Sequence, residues 1–299
     1  MSPVLVTGAR GFAGRYLVEL LSNGSDAVAG WGREDVDLLD PDAVERGIAE
    51  LRPSVIYHCA GVSHAGNSLT NASETLAANV LGTHHLLDAL RRARLECRVL
   101  IPSSSLVYQY SDSALNEDAP LRPATPYAVS KLAQELLGRR STQEDGQLIF
   151  IARSFNHTGP RQHPSFAAPG FARQIALIEQ GRMPPEISVG NLDASRDLHD
   201  VRDTVRAYRA IIDNGRPGEA YNVCSGTAFK IRDILDRLLA LSRVTAAVRV
   251  DSSRYRANDN PVLVGNPAKI RRAVGWTPSI PLERTLADLL DYWRREVRQ

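Results

Sequence analysis

The feature that most constrains the fold is a set of three glycines near the N-terminus, between a strand pattern and a helix pattern. Residues 4–6 are a short apolar run, Gly8, Gly11 and Gly14 follow at three-residue spacing, and residues 13–21 carry a helical pattern. Glycine after a strand permits a tight turn, and a helix N-terminus offers free N–H groups and a positive dipole end. The spacing is GxxGxxG rather than GxGxxG, but its position predicts a turn that binds the pyrophosphate of a dinucleotide.

Strand and helix patterns alternate through the first half of the chain. Helices are predicted at residues 75–93 and 127–137, and further strands at residues 27–29, 55–57, 98–101 and 148–152. This alternation predicts an α/β fold with a doubly wound parallel (Rossmann) sheet. We expect residues 1–153 to form the dinucleotide-binding domain.

The pattern changes after residue 153, where proline and glycine become more frequent and strands shorter. Residues 203–212, 231–241 and 282–297 still predict amphipathic helices. We expect residues 154–299 to form mainly a smaller C-terminal substrate-binding lobe. Tyr221-Asn222-Val223 is a candidate sixth strand that crosses back into the first domain.

Composition excludes several classes of partner. The 36 Lys+Arg residues nearly balance the 34 Asp+Glu residues, and a net charge of +2 gives no basic field for nucleic acid. No apolar run approaches the roughly 20 residues that span a bilayer, so we expect no transmembrane helix. Residues 1–3 lead directly into the first strand pattern, so we expect no secretory signal peptide. Three scattered cysteines suggest buried thiols in a reducing compartment, so we expect a cytoplasmic protein without membrane contact.

The end of the second strand bears on the choice of dinucleotide. An acidic residue is expected there to bind the ribose hydroxyls, but Trp31 occupies that position and Arg33 follows. Loss of the carboxylate removes repulsion against a 2′-phosphate, with which an arginine could pair. We expect NADP(H), with NAD(H) as the alternative, and Asp37 and Leu38 near the adenine. A solvated loop position is the competing interpretation of Arg33.

A second pattern supplies groups that exchange a proton. Tyr127 and Lys131 are four residues apart at a predicted helix start, so both side chains share one helix face. An adjacent ammonium favours a phenolate, and we expect Lys131 to lower the pKa of Tyr127 from its ordinary value near 10. A tyrosine in this setting exchanges a proton with a carbonyl or hydroxyl oxygen. The serine run at residues 103–105 could bind the same oxygen, or it could be an ordinary polar loop.

Taken together, TGxxGFxG at residues 7–14, Asn79 in NVLGT, the SSS…VY segment and YxxxK resemble the extended short-chain dehydrogenase/reductase family over essentially the whole chain. The resemblance implies a catalytic trio of Ser104, Tyr127 and Lys131. Ser104 is chosen because it lies three residues before Val107 of VY, and Asn79 is expected to organise the site. The residues expected to contact the cofactor are Gly8, Arg10, Gly11, Phe12, Gly14, Arg33, Asp37, Leu38, Ala60, Gly61, Asn79, Tyr127 and Lys131.

Segments 154–162, 189–197 and 251–259 are similar to those of the GDP-sugar members of that family. The resemblance implies a GDP-linked deoxyhexose substrate whose diphosphate contacts Asn156, Arg196 and Arg254. The other residues expected to bind substrate are Ser105, Phe166, Gln174 and Asp259, with Phe166 and Gln174 near the guanine. A guanidinium binds phosphate in bidentate fashion, although a surface salt bridge to Asp193 or Asp197 would also explain Arg196.

The residues after Ser104 narrow the expected reaction. Dehydration at C5 and C6 of the sugar needs a further acid or base, which relatives supply as a carboxylate at this point, whereas this chain has Ser105 and Leu106. The resemblance therefore implies NAD(P)H-dependent reduction of the 4-keto group of a GDP-4-keto-6-deoxy-D-mannose-type sugar to GDP-D-rhamnose. Reduction from the other face would give 6-deoxytalose.

Three alternatives stay open: a GDP-sugar 4,6-dehydratase, a nucleotide-sugar 4-epimerase, and a non-catalytic nucleotide-binding member. The intact Tyr127 and Lys131 pair argues against the last. His157 and His163 have no second ligand at a suitable spacing, so we expect no metal site. The resemblance also suggests a homodimer through helices at residues 75–93 and 127–139.

Overall fold

A six-stranded parallel sheet forms the centre of the molecule in the computed structural model, which describes residues 3–24, 27–63, 70–252 and 260–298. Its strands lie in the order β2-β1-β3-β4-β5-β9. They are β1 (Val4–Thr7), β2 (Val28–Trp31), β3 (Val55–His58), β4 (Arg98–Ser104), β5 (Leu148–Ser154) and β9 (Ala220–Val223). The predicted doubly wound sheet is confirmed. Strand order reverses at β1, and a crevice at the carboxyl ends of strands beside such a reversal is where dinucleotides bind.

The chain returns to the central sheet late in the sequence, at the segment Tyr221-Asn222-Val223. β9 pairs in parallel with β5, with Ala152 opposite Tyr221. Helices α7 (Val201–Asn214) and α9 (Ala268–Val274) return with it and pack beside α1 (Phe12–Ser22) on one face of the sheet. The second half of the chain therefore completes the sheet that the first half begins.

The other face of the sheet is covered by α2 (Pro41–Leu51), α4 (Gly82–Arg92) and α5 (Pro126–Asp145). The helix expected at residues 75–93 differs from the prediction in its interior. α3 (Ala72–Leu76) leads into a π-helical stretch, Ala77–Leu81, before α4 begins. Such π-helical turns are rare and occur often at functional sites, and this one carries Asn79.

A second core lies in the C-terminal part, where α6 (Ala167–Glu179), α8 (Ile231–Ala240) and α10 (Leu282–Glu296) pack together. Two small sheets accompany it: β11 (Ala247–Val250) pairs with β7 (Glu186–Val189), and β8 (Ser195–Asp200) pairs with β6 (Asn156–Thr158), β10 (Ala228–Lys230) and β12 (Val262–Leu263). That this part binds the substrate stays a prediction. Within the described ranges, no helix is both long and apolar enough to cross a bilayer.

Candidate active site

Two of the three glycines of the first turn, Gly8 and Gly14, are required by its backbone geometry. Gly8 has a φ of +66°, and a Cβ atom there would lie 2.6 Å from the backbone nitrogen of Ala60. A Cβ atom on Gly14 would lie 2.1 Å from the carbonyl oxygen of Gly8. Gly11 donates its N–H to that same carbonyl and is the N-cap of α1. Side chains at Gly8 or Gly14 would force the turn away from β3 and from itself.

The N-terminus of α1 fits an anionic group. Gly11 supplies no side-chain cap, and the first turn of this helix contains no acidic residue among those described. The first N–H groups of a helix lack intrahelical partners, and the helix dipole favours negative charge there. Phe12 begins the helix and stacks on His157 with 5.9 Å between ring centroids. The turn and helix therefore form a cradle suited to a pyrophosphate.

The loop after β2 places charges of both signs beside this cradle. Trp31 ends β2 as predicted, and its ring lies against Gly47 of α2. Arg33 is largely exposed, with its Nε 4.0 Å from Asp37. Arg10 forms ion pairs with Glu34 and Asp35, two acidic residues that the sequence analysis did not consider. A phosphate bound here by Arg10 would therefore have to compete with these carboxylates.

The remaining cofactor candidates lie in the chain segments that follow β2 and β3. Asp37 accepts the backbone N–H of Leu39 through its carboxylate, and the carbonyl of Leu38 bonds His85. Gly61, just after Ala60, has a φ of +142°, and a Cβ atom there would collide with the side-chain oxygen of Asn79.

Asn79 holds the loop after β3 in place. Its buried side chain accepts the N–H of Val62 at 2.8 Å and donates to the carbonyl of Val62 at 3.1 Å. The same amide donates to the Ser130 hydroxyl at 2.8 Å. One side chain thus joins the loop, the π-helical stretch and α5. That Asn79 organises the catalytic site stays a prediction.

Ser104 and Tyr127 meet at the carboxyl end of β4. Ser104 is the last residue of this strand, and Tyr127 lies in the first turn of α5, which Thr125 caps. A side-chain hydrogen bond joins them and lowers the pKa of Tyr127, but burial outweighs it and raises that pKa to about 12. The predicted lowering by Lys131 is therefore wrong for this structure, because desolvation of the phenolate dominates.

Lys131 is buried and hydrogen-bonded within the protein. Its ammonium donates to the carbonyl of Pro102 at 2.8 Å and to the side-chain oxygen of Gln134 at 2.9 Å. Burial lowers its pKa to about 8, against the opposing influence of Cys59 and Glu135. The structure thus places all three members of the predicted trio at one end of α5 and β4.

A buried ion pair lies behind this trio. Glu135, one turn after Lys131, pairs with Arg153 of β5 at 2.8 Å, and both side chains are at most 2% exposed. Ser103 donates to the same carboxylate, and the guanidinium also donates to the hydroxyl of Tyr108. This network joins β4, β5 and α5 beneath the catalytic candidates.

Two of the predicted substrate residues, Ser105 and Asn156, lie beside the trio, and Arg196 lies on a strand of the second half. Ser105 is buried immediately after Ser104, and Asn156 is exposed at the start of β6, two residues beyond β5. Both therefore lie at the same edge of the sheet as Tyr127. Arg196 lies on β8, where it donates to the backbone carbonyls of Ser195 and Asn260, both at 2.7 Å.

Asp197, one of the two salt-bridge partners considered for Arg196, is used elsewhere. Its carboxylate accepts the backbone N–H groups of Ser225, Gly226 and Gly265. The structure thus supplies a different role for this acid, which holds the loop after β9 and the chain after β12.

Gln174 and Phe166, the two residues predicted to lie near the guanine, have local structural roles in α6. The amide of Gln174 bonds both the N–H and the carbonyl of Ser188, so it braces α6 against β7. Phe166 is the N-cap residue of α6 and partly buried. Arg254 and Asp259 lie outside the described residues.

The two histidines considered as metal ligands form hydrogen bonds with other groups of the protein. His157 bonds the carbonyl of Phe155, and His163 bonds Ser165. Among the residues that the structure describes, no group of three or more His, Cys, Asp or Glu side chains could hold a metal ion.

Several polar residues beside the trio were missed by the sequence analysis. His58, Thr83 and Gln134 are buried and bonded to one another or to Lys131. Helical spacing could have found two of them: Thr83 lies four residues after Asn79, and Gln134 lies three after Lys131. His58 is the last residue of the apolar strand β3 and carries no comparable signal.

The comparisons agree with this geometry. The GDP-mannose 4,6 dehydratase family model matches residues 31–289. GDP-6-deoxy-D-mannose reductase of Pseudomonas aeruginosa is 36% identical, over 99% of this chain and 98% of the relative. The structure of RMD from Pseudomonas aeruginosa complexed with NADPH has a TM-score of 0.91 and 34% identity, over 99% of this chain and 100% of that one. UDP-glucose 4-epimerase of Thermus thermophilus in complex with NAD has a TM-score of 0.87 and 26% identity, over 98% and 99%. The chain belongs to the GDP-mannose 4,6 dehydratase family within the extended short-chain dehydrogenases/reductases.

Proposed function

We propose that this protein reduces the 4-keto group of a GDP-4-keto-6-deoxy-D-mannose-type sugar to GDP-D-rhamnose. The observation that carries the proposal is the hydrogen-bonded pair of Ser104 and Tyr127 at the sheet edge that also holds the glycine turn. The similarity to GDP-6-deoxy-D-mannose reductase over nearly the whole of both chains supports the substrate class.

The state of Tyr127 favours the reductive direction. Reduction of a ketone needs an acid that gives a proton to the carbonyl oxygen, and a buried phenol with a pKa of about 12 keeps its proton at neutral pH. Ser104 donates a hydrogen bond to the same oxygen and so fixes its position. Proton transfer leaves a phenolate, and we expect the ammonium of Lys131, four residues along α5, to stabilise that charge once it has formed.

The cofactor that we propose is NADPH, with NADH as the alternative. Gly8, Gly11 and the N-terminus of α1 would hold its pyrophosphate, and Arg33 or Arg10 its 2′-phosphate. When bound, the reduced nicotinamide supplies the hydride. The NADPH complex of the similar Pseudomonas aeruginosa structure supports this choice.

The dehydratase alternative lacks an acid at the expected place. Ser105 is buried behind Ser104, and Leu106 follows it in a single 3₁₀ turn, Ser105–Val107. Neither side chain delivers a proton to a departing C6 hydroxyl. Two histidines could substitute as the acid: the ring of His157 is stacked on Phe12 and its pKa is lowered by burial, and His163 is exposed and bonds Ser165. The epimerase alternative needs the same trio, so only identification of the product distinguishes it from the proposed reductase.

The test is to incubate the protein with GDP-4-keto-6-deoxy-D-mannose and NADPH and to identify the product by NMR. We expect GDP-D-rhamnose at an enzymatic rate, with Tyr127→Phe as the inactive control. A second incubation with GDP-mannose and oxidised cofactor should yield no 4-keto-6-deoxy sugar. Accumulation of that sugar would contradict the reductase and support the dehydratase, and a 6-deoxytalose product would reverse the proposed stereochemistry.

We further propose that the protein is a cytoplasmic homodimer. Four large apolar side chains are exposed on two neighbouring helical segments: Leu76 and Leu81 before α4, and Val129 and Leu136 on α5, where Leu136 is 59% exposed. Val129 and Leu136 are seven residues apart and share one face. Light scattering should give the mass of a dimer, and Leu136→Glu should give a monomer. A wild-type monomer would exclude this interface.

A further inference from the structure

A continuous set of buried hydrogen bonds links the dinucleotide turn to Lys131. Thr7 bonds His58 at 2.9 Å, and His58 bonds Thr83 at 2.9 Å. Gln134 donates to Thr83 at 2.6 Å and accepts from the Lys131 ammonium at 2.9 Å. Thr7, His58, Thr83 and Gln134 are each at most 1% exposed, so water does not compete for these bonds.

The direction of each bond follows from donor and acceptor counting. The hydroxyl of Thr83 gives its single proton to the carbonyl of Asn79 at 2.7 Å, so it can only accept from its other neighbours. The Gln134 amide must therefore turn its NH₂ group to Thr83, which leaves its oxygen for Lys131. An ammonium is a donor only, so it requires that same orientation.

The same counting fixes the state of His58. Its Nε2 must carry the proton, because Thr83 accepts from it, and its Nδ1 therefore accepts from the hydroxyl of Thr7. That hydroxyl in turn accepts the backbone N–H of Ala60 at 3.2 Å. Burial, followed by the charge of Lys131, lowers the pKa of His58 to about 3, so the ring is neutral. Each group in the set is satisfied in only one arrangement.

We infer that Gln134 is a positioning residue that holds the Lys131 ammonium in place and stabilises its charged form. Gln134 is the member of this set that bonds the ammonium, and Thr83 and His58 are linked to Lys131 by hydrogen bonds through Gln134. The titratable groups that act on the ammonium are His58 at the end of β3, Cys59 directly after it and Glu135 of α5. Burial keeps the Cys59 thiol protonated by raising its pKa to about 12, and Glu135 is paired with Arg153.

The composition of the chain makes a direct test available. The sequence contains only three lysines, Lys131, Lys230 and Lys269. Protein labelled with ¹⁵N at the lysine side chains gives three Nζ signals, and the one absent from Lys131→Arg belongs to Lys131. A pH titration then measures the pKa of Lys131 without any substrate or cofactor, while Lys230 and Lys269 serve as internal references.

Two substitutions at one position should move that pKa in opposite directions. Gln134→Met keeps the length of the side chain but removes the acceptor, and should lower the pKa of Lys131 by about one to two units, the scale of a lost hydrogen bond to a charged group. Gln134→Glu adds a carboxylate and should raise it. Gln147→Met is the matched control. Gln147 is also a buried glutamine with hydrogen-bond partners, but these partners are Ser141 and Leu87.

An unchanged pKa in Gln134→Met, or equal shifts in the same direction in both Gln134 variants, would overturn the assignment. If Gln134→Met does not fold, the rise in Gln134→Glu decides the question alone. The catalytic importance of Lys131 rests on the proposed function and is tested separately. The alkaline limb of the kcat/KM profile should follow the NMR pKa, and a limb that stays fixed while the pKa moves would reject the role of Lys131 but not that of Gln134.

Discussion

The buried pair of Glu135 and Arg153 gives a prediction whose size follows from its surroundings. Three N–O distances of 2.8–3.2 Å join the two groups, which are 1% and 2% exposed. The Arg153 guanidinium also donates to the hydroxyl of Tyr108 and to the carbonyl of Glu117, and Glu135→Leu would leave it these two uncharged partners. Leaving one charge of a buried pair uncompensated costs about 3–5 kcal/mol of unfolding free energy.

Urea unfolding followed by tryptophan fluorescence measures this loss. At a slope of about 3 kcal/mol per molar urea, the midpoint should fall by about 1 M or more. Glu144→Leu, an exposed position on the same helix, is the control and should stay within about 0.5 kcal/mol of the wild type.

The double variant Glu135→Leu with Arg153→Met removes both charges and should be more stable than Glu135→Leu alone. A loss under about 1 kcal/mol in Glu135→Leu would contradict this reasoning. So would losses in the two single variants that simply add in the double variant.

The other predictions concern the site itself. Tyr127→Phe should reduce turnover by about 10² or more while GDP-sugar binding survives, and near-normal turnover would remove Tyr127 from the mechanism. Arg196→Ala should weaken GDP-sugar binding by about 1.5–3 kcal/mol in calorimetry and leave NADPH binding unchanged, whereas no loss for either ligand would favour a structural role. Arg33→Ala should raise the KM for NADPH more than that for NADH. If the wild type prefers NADH and Arg33→Ala shows the same preference, this loop does not bind a 2′-phosphate.

The sheet and the glycine turn could be predicted from the sequence because local patterns determine them. Apolar runs alternate with helical periodicity, and the backbone at Gly8 and Gly14 admits no side chain. The returning strand β9 was also recognisable as a short apolar segment. The π-helical stretch around Asn79 was not, because its sequence does not differ from that of an ordinary helix.

The electrostatics of the site could not be predicted for a different reason. The i, i+4 spacing of Tyr127 and Lys131 indicates proximity, but the pKa of Tyr127 depends on burial, which is set by elements far away in the chain. The acids Glu34 and Asp35 beside Arg10 were visible in the sequence, yet only the folded loop turns them towards that arginine. The bonds of Gln174 to Ser188 likewise depend on how α6 meets β7.

The late return of β9 to the central sheet constrains how the polypeptide is made. About 70 residues separate the end of β5 at Ser154 from the end of β9 at Val223. Until the ribosome has released them, β5 presents an open edge, and the core lacks Tyr208 and Tyr221, both almost fully buried in the finished protein. An unpaired strand edge is a site for aggregation. We therefore expect a fragment that ends at residue 153 to aggregate when it is expressed alone, because it lacks part of its own core.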